Sequence, residues 1–89
     1  MPDLKLSKKQ NAVVFALQNG GQLLTDSRSS YVGLFYNGMT VYFSGVIFWN
    51  LVKKELLSQE LSRPFDYKLT LTGKEVSAKK CDPVSVLHT

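Results

Sequence analysis

Three patterns predict an α+β fold for this chain. They are a helix-start signature at Ser7, a turn signature at Asn37-Gly38 between two alternating apolar runs, and an amphipathic stretch leading from Ser44 into a further alternating run. Together they predict two main helices, over about 7–19 and 44–55, and two β-hairpins, over about 31–44 and 56–72. Residues 1–80 are expected to form one domain, with 81–89 as a flexible C-terminal tail.

The first helix follows from Ser7 and Gln10, spaced as a capping box in which the hydroxyl accepts from the Gln10 amide while the Gln10 side chain reaches back. Val13, Val14, Ala16 and Leu17 supply its buried stripe, and Gly20-Gly21 ends it, since glycine enters the left-handed region without a Cβ penalty. Gln22–Leu24 has room for a short strand, and the polar run Thr25–Ser30 reads as a loop.

Asn37-Gly38 tolerates the two positive φ angles of a type I′ turn, so the run around it predicts a hairpin. The register pairs Tyr36 with Met39, Leu34 with Val41 and Val32 with Phe43 on an apolar face. Tyr31, Phe35, Thr40 and Tyr42 lie with Gly33 on the other. If the first face packs on helices, the rings of the second face outward, unless another element covers them.

Ser44 is a candidate N-cap for the second helix. Ile47, Phe48, Leu51 and Val52 share one stripe, with Val46, Trp49, Asn50, Lys53 and, at its margin, Lys54 opposite. Leu56–Glu60 then reads as a strand, "SRPF" as a turn, and Asp66–Thr72 as the returning strand, with Tyr67, Leu69 and Leu71 alternating against Lys68 and Thr70 until Gly73 breaks it. The segment before Pro83 has room for one or two helical turns, and frayed chain is expected after it.

Composition narrows the class. With 44% hydrophobic and 20% charged residues in 89, the chain is globular and large enough for one modest core. The apolar run Val13–Leu17 is too short to span a bilayer, no secretory leader pattern is present, and a lone cysteine, Cys81, agrees with a reducing compartment, so a cytoplasmic location is expected. A net charge of +4 favours a polyanionic partner.

Residues 44–75 resemble the second half of a winged-helix domain of MarR-like regulators, in which a recognition helix leads into a β-hairpin wing. Leu51, Lys54, Leu56 and Leu57 match the end of that helix, and Leu69, Thr70 and Gly73 match the close of the wing. Glu55 stands where that family has glycine, and the Asn37-Gly38 hairpin stands where a second helix is expected. Over nearly the whole chain the sequence is also similar to the short bacterial YjhX-type proteins, described as inhibitors of DNA topoisomerase. Leu6-Ser7, Gly20-Gly21, Phe48 with Leu51, Lys54 and Leu56, and Tyr67-Lys68 with Thr72-Gly73 carry that similarity.

The winged-helix resemblance implies a small DNA-binding transcriptional regulator of bacterial or phage type, expected to act as a dimer. Helix 44–55 would enter the major groove and the wing, about 58–68, would lie beside it. Trp49, Asn50, Lys53, Lys54, Arg63 and Lys68 are the candidate DNA contacts: Asn50 suits adenine, the lysines suit guanine or phosphate, and Arg63 at the wing tip suits minor groove or backbone. Lys8 and Lys9 would contact phosphate only if the start of the first helix faces the duplex.

The alternative is a protein-binding module, such as an inhibitor of a DNA-processing enzyme, with Tyr31, Phe35, Tyr42 and Trp49 as the contact surface. Trp49 is equally placed to fill a groove, meet a protein or complete the core. Nothing in the spacing of His88, Cys81 and the carboxylates predicts an enzyme, a metal or a cofactor site. Lys79 and Lys80 beside Cys81 could lower a thiol pKa, but the reading preferred is an incidental surface or partly buried thiol.

Overall fold

Local capping chemistry fixes where the first helix begins. In a computed structural model that describes residues 6–24, 31–60 and 63–88, helix α1 spans Lys8–Gln18 behind a complete Ser7 capping box. Ser7 Oγ accepts from the Gln10 amide at 3.2 Å, and the Ser7 amide donates to Gln10 Oε1 at 3.0 Å. The helix stops where Gly20 takes φ +94° and the Gly21 amide donates back to the Ala16 carbonyl at 2.8 Å. Ala12, Val13, Val14 and Ala16 are fully buried, so α1 is a central strut of the core.

Strand β1 (Gln22–Leu24) pairs antiparallel with β2 (Tyr31–Tyr36), which pairs antiparallel with β3 (Met39–Ser44), giving a three-stranded sheet in the order β1-β2-β3. The loop expected at Thr25–Ser30 lies outside the described residues. Asn37 and Gly38 have φ 53° and 78°, the pair of positive angles expected of the two-residue turn. Register follows from that turn: Tyr36 faces Met39, Leu34 faces Val41 and Val32 faces Phe43. Val32, Leu34, Val41 and Phe43 are buried with Leu23 of β1, while Met39 at the hairpin end is exposed.

Helix α2 (Gly45–Lys53) starts directly from β3, with Ser44 Oγ accepting from the Val46 amide. Phe48 and Leu51 are buried and Ile47 and Val52 half-buried. Its end is a two-bond clasp: the Glu55 amide donates to the Val52 carbonyl at 2.9 Å and the Leu56 amide to the Leu51 carbonyl at 3.0 Å. That Schellman pairing needs a left-handed residue at Glu55, whose φ is +61°. The helix is therefore shorter than the expected 44–55.

Strand β4 (Leu57–Glu60) and β5 (Arg63–Leu69) form the separate two-stranded hairpin. Several expectations shift here. Leu56 belongs to the helix clasp, so the strand starts one residue later. Glu60 pairs with Arg63, so Arg63, Pro64 and Phe65 of the expected "SRPF" turn belong to β5, and 61–62 lie outside the described residues. Between that pair and Gln59–Tyr67 the register jumps, leaving Pro64 in the irregular part of β5, where a missing donor costs no ladder bond.

The returning strand ends at Leu69, not Thr72. Thr70 becomes the N-cap of α3 (Leu71–Glu75), its hydroxyl accepting from the Gly73 amide at 3.0 Å. Leu71, expected on the buried side of a strand, is 73% exposed. Gly73 does not break a strand; it sits in this helical turn, where a Cβ would collide with the Leu56 carbonyl oxygen.

The segment expected as a free tail instead carries α4 (Pro83–His88), which packs on α1 and β3 with Pro83 and Leu87 buried. Helices α1 to α4, the three-stranded sheet and the β4–β5 hairpin make the described chain a mixed α+β fold around one apolar cluster.

Candidate nucleic-acid interface

Helix α2 is held to the β4–β5 hairpin by aromatic edges. The Phe48 ring meets Tyr67 of β5 at a centroid distance of 4.7 Å and 88°, and Trp49 packs its edge on Phe48 at 5.2 Å and 74°. Such pairs add about 0.5–1.5 kcal/mol beyond the area they bury. With Phe48 fixed inward, the helical period turns Val46, Trp49 and Lys53 outward, and all three are exposed, Trp49 at 54%. Asn50 is half-buried at the margin of that side.

Lys54 departs from the outward set. It is half-buried, and its Nζ donates to Gln10 Oε1 on α1 at 3.0 Å. The same oxygen accepts the Ser7 amide, so this buried glutamine joins the start of α1 to the end of α2. Lys68 is exposed on β5 opposite Ser58. Arg63 opens β5, and its side chain lies outside what the structure describes.

A second polar clasp gathers the chain after α3. The Lys79 amide donates to Asn11 Oδ1 at 2.8 Å, and Asn11 Nδ2 donates to the Lys79 carbonyl at 3.0 Å. At the other end of α1, Gln18 Nε2 donates to the carbonyls of Gly73 and Val76 at 2.9 and 2.8 Å, supplying donors for acceptors at the end of α3. Below α2, the Thr70 hydroxyl donates to the Glu55 carbonyl and the Thr70 amide to the Leu56 carbonyl at 2.9 Å. Sequence reasoning named none of Asn11, Gln18 and the Gln10–Lys54 link as site-forming, because nothing local marks a side chain's partner tens of residues away.

The outer face of the three-stranded sheet carries Tyr31, Phe35 and Tyr42, with exposures of 59%, 43% and 64%, joined by Leu24 from β1 at 48%. Leu24, Gly33 and Tyr42 lie side by side across the three strands, and a Cβ at Gly33 would come within 3.1 Å of a Tyr42 ring carbon. The Tyr42 ring thus lies over Gly33 without covering the face.

The nucleophile and titratable groups stand apart. Burial pushes the Cys81 thiol pKa up, against a lowering by the Asn11 hydrogen bond, and Asp82 raises it further. That direction is opposite to the lowering Lys79 and Lys80 could have produced and agrees with the preferred reading of a partly buried, incidental thiol. His88 is exposed at the end of α4, beside a cleft of about 280 Å³ that Tyr36, Met39 and Asp82 also border. Among the described residues no group of three His, Cys, Asp or Glu side chains comes together, and no helix is long and apolar enough to cross a membrane.

Comparison with protein-family models, with curated proteins and with solved structures finds no match to this chain.

Proposed function

We propose that this chain is a small winged-helix-like DNA-binding regulator, of bacterial or phage type, that meets duplex DNA through α2 and the β4–β5 wing. The observation that carries the reading is the junction between them. Helix α2 runs through the Glu55 turn straight into the hairpin, with Lys53 exposed at its end and Lys68 exposed on β5. A helix beside a hairpin, each carrying an exposed lysine, suits the layout in which one element enters a groove and the other follows the backbone.

Lysine ammonium groups neutralise phosphates and release condensed counterions, which supplies most of the affinity and makes it fall as salt rises. Asn50 is the residue of α2 whose amide chemistry suits an adenine edge. Lys54, held by Gln10, adds charge from behind the helix. A homodimer would double the contact and set a half-site spacing.

The test is duplex binding measured by fluorescence anisotropy between about 50 and 200 mM salt. A change of Lys53 and Lys68 together to alanine is expected to reduce the salt slope by about two units. A wild-type affinity that does not change over that range overturns the reading.

The open aromatic face of the sheet favours a second reading, a protein-binding module of the kind that inhibits a DNA-processing enzyme. Tyr31, Phe35 and Tyr42 with Leu24 form an apolar surface on the opposite side of the sheet from the core, and Trp49 on α2 is exposed as well. This reading predicts slight, salt-insensitive duplex affinity. It also predicts association, with a second copy or another protein, that weakens when Tyr31, Phe35 or Trp49 becomes alanine.

A further inference from the structure

Three segments distant in sequence meet at the first turn of α1. Gln10 holds Lys54 at 3.0 Å, and its neighbour Asn11 holds the backbone of Lys79 through two hydrogen bonds of 2.8 and 3.0 Å. Since Gln10 and Asn11 are consecutive, these tethers bring Lys54 and the backbone of Lys79 to the start of α1, so the chain segments carrying Lys8-Lys9, Lys53-Lys54 and Lys79-Lys80 converge there. All except Lys54 are exposed. The carboxylates on the same segments are Glu55 and Asp82, both exposed, so ammonium groups outnumber them three to one.

Gathering like charges costs self-repulsion, which a polyanion relieves. The Gln10 N–H at the start of α1 is already engaged by the Ser7 capping box. The ammonium groups carry the attraction. Lys53, exposed on the outward side of α2, is the chain neighbour of the tethered Lys54, which links the proposed reading helix to the start of α1.

We propose that this lysine cluster is a second contact with the phosphate backbone of duplex nucleic acid, flanking α2. The proposal rests on the DNA reading above and extends its footprint away from the wing. A duplex carries one charge per roughly 1.7 Å of axis, so a patch several ammonium groups wide faces several phosphates at once. The contact is to phosphate and carries no sequence preference; it fixes how the duplex lies across α2.

The experiment uses the full chain, a fluorescent random-sequence duplex and a salt series. Lys8, Lys9, Lys79 and Lys80 are changed together to glutamine, with Lys74→Gln, an exposed lysine outside the cluster, as the control. Folding of each variant is checked by circular dichroism and thermal melting. The fourfold variant is expected to lose about three to four units of salt slope at roughly 0.9 per phosphate contact, and at least about tenfold in affinity near 100 mM salt, while Lys74→Gln binds as wild type. Asn11→Ala keeps every charge but releases residues 79–80, and is expected to weaken binding several-fold. A fourfold variant with the wild-type slope, beside a Lys53→Gln, Lys68→Gln variant whose slope falls, overturns the cluster and leaves the α2–wing reading standing. A wild-type chain that binds no duplex, or one captured only by an acidic polypeptide, overturns both.

Discussion

Replacing Glu55 by glycine is expected to stabilise the fold by about 1 kcal/mol. Glu55 holds φ +61° at the end of α2, where its amide and that of Leu56 close two hydrogen bonds onto Val52 and Leu51. A left-handed conformation costs a residue with a Cβ roughly 1–2 kcal/mol, and glycine returns about 0.5–1 kcal/mol of that through its greater unfolded-state freedom. The side chain is exposed, so no packing is lost. A second effect must be separated, since a carboxylate at a helix C-terminus opposes the helix dipole by about 0.3–1 kcal/mol at most. Glu55→Gln removes that charge and keeps the strained angle. In urea unfolding the midpoint should therefore rise for Glu55→Gln by the charge contribution alone and for Glu55→Gly by that plus the backbone contribution, with the same slope; in a melt the gain corresponds to about 4–8 °C per kcal/mol. Equal gains for the two variants would refute the backbone argument and leave electrostatics as the cause.

Thr70→Val keeps the shape of the side chain but removes both the N-cap of α3 and the donation to the Glu55 carbonyl, and should cost about 2 kcal/mol in denaturant titration, with Thr70→Ser close to wild type. Gly73→Ala forces a methyl against the Leu56 carbonyl and should destabilise by about 1–3 kcal/mol, a loss visible in the melting temperature. Gln18→Ala withdraws the donor shared by the Gly73 and Val76 carbonyls and should cost about 1–3 kcal/mol, with hydrogen exchange rising first around residues 71–76. The Cys81 thiol, with its pKa raised in the fold, should react with iodoacetamide more slowly in the native chain than in urea. The stability tied to that proton is present below the unfolded thiol pKa and lost as pH rises through the folded one.

Those sites differ in how visible they are in the sequence. The Ser7–Gln10 box and Asn37-Gly38 are local devices whose partners lie within three residues, and helix α1 and the β2–β3 register follow from them. Around Thr70 two local signals compete. The alternation of Tyr67, Leu69 and Leu71 extends a strand, while Thr70 can cap a helix; the cap wins because its hydroxyl and amide also reach the Glu55–Leu56 turn. Asp82-Pro83 carries a similar ambiguity, since proline ends helices yet suits the first helical position, and burial of Leu87 decides for a helix.

The candidate site divides along the same line. Trp49, at the edge of the stripe, is open to core or surface by its angle, and its 54% exposure decides for the surface, whereas the outward placement of Lys53 follows from helical periodicity. Lys54, one position on, is drawn to Gln10 by a contact that only the packing of α1 against α2 creates. The positive φ at Glu55 is a case where backbone sterics favour glycine and this chain carries a glutamate, held in the left-handed region by Thr70 and the helix clasp.

The most direct test of the central claim is the slope of log affinity against log salt for the wild-type chain on random duplex, set beside the Lys53→Ala, Lys68→Ala variant. The account predicts a steep negative slope for wild type that becomes shallower by about two units in the variant. A flat wild-type slope, or a variant indistinguishable from wild type, contradicts it.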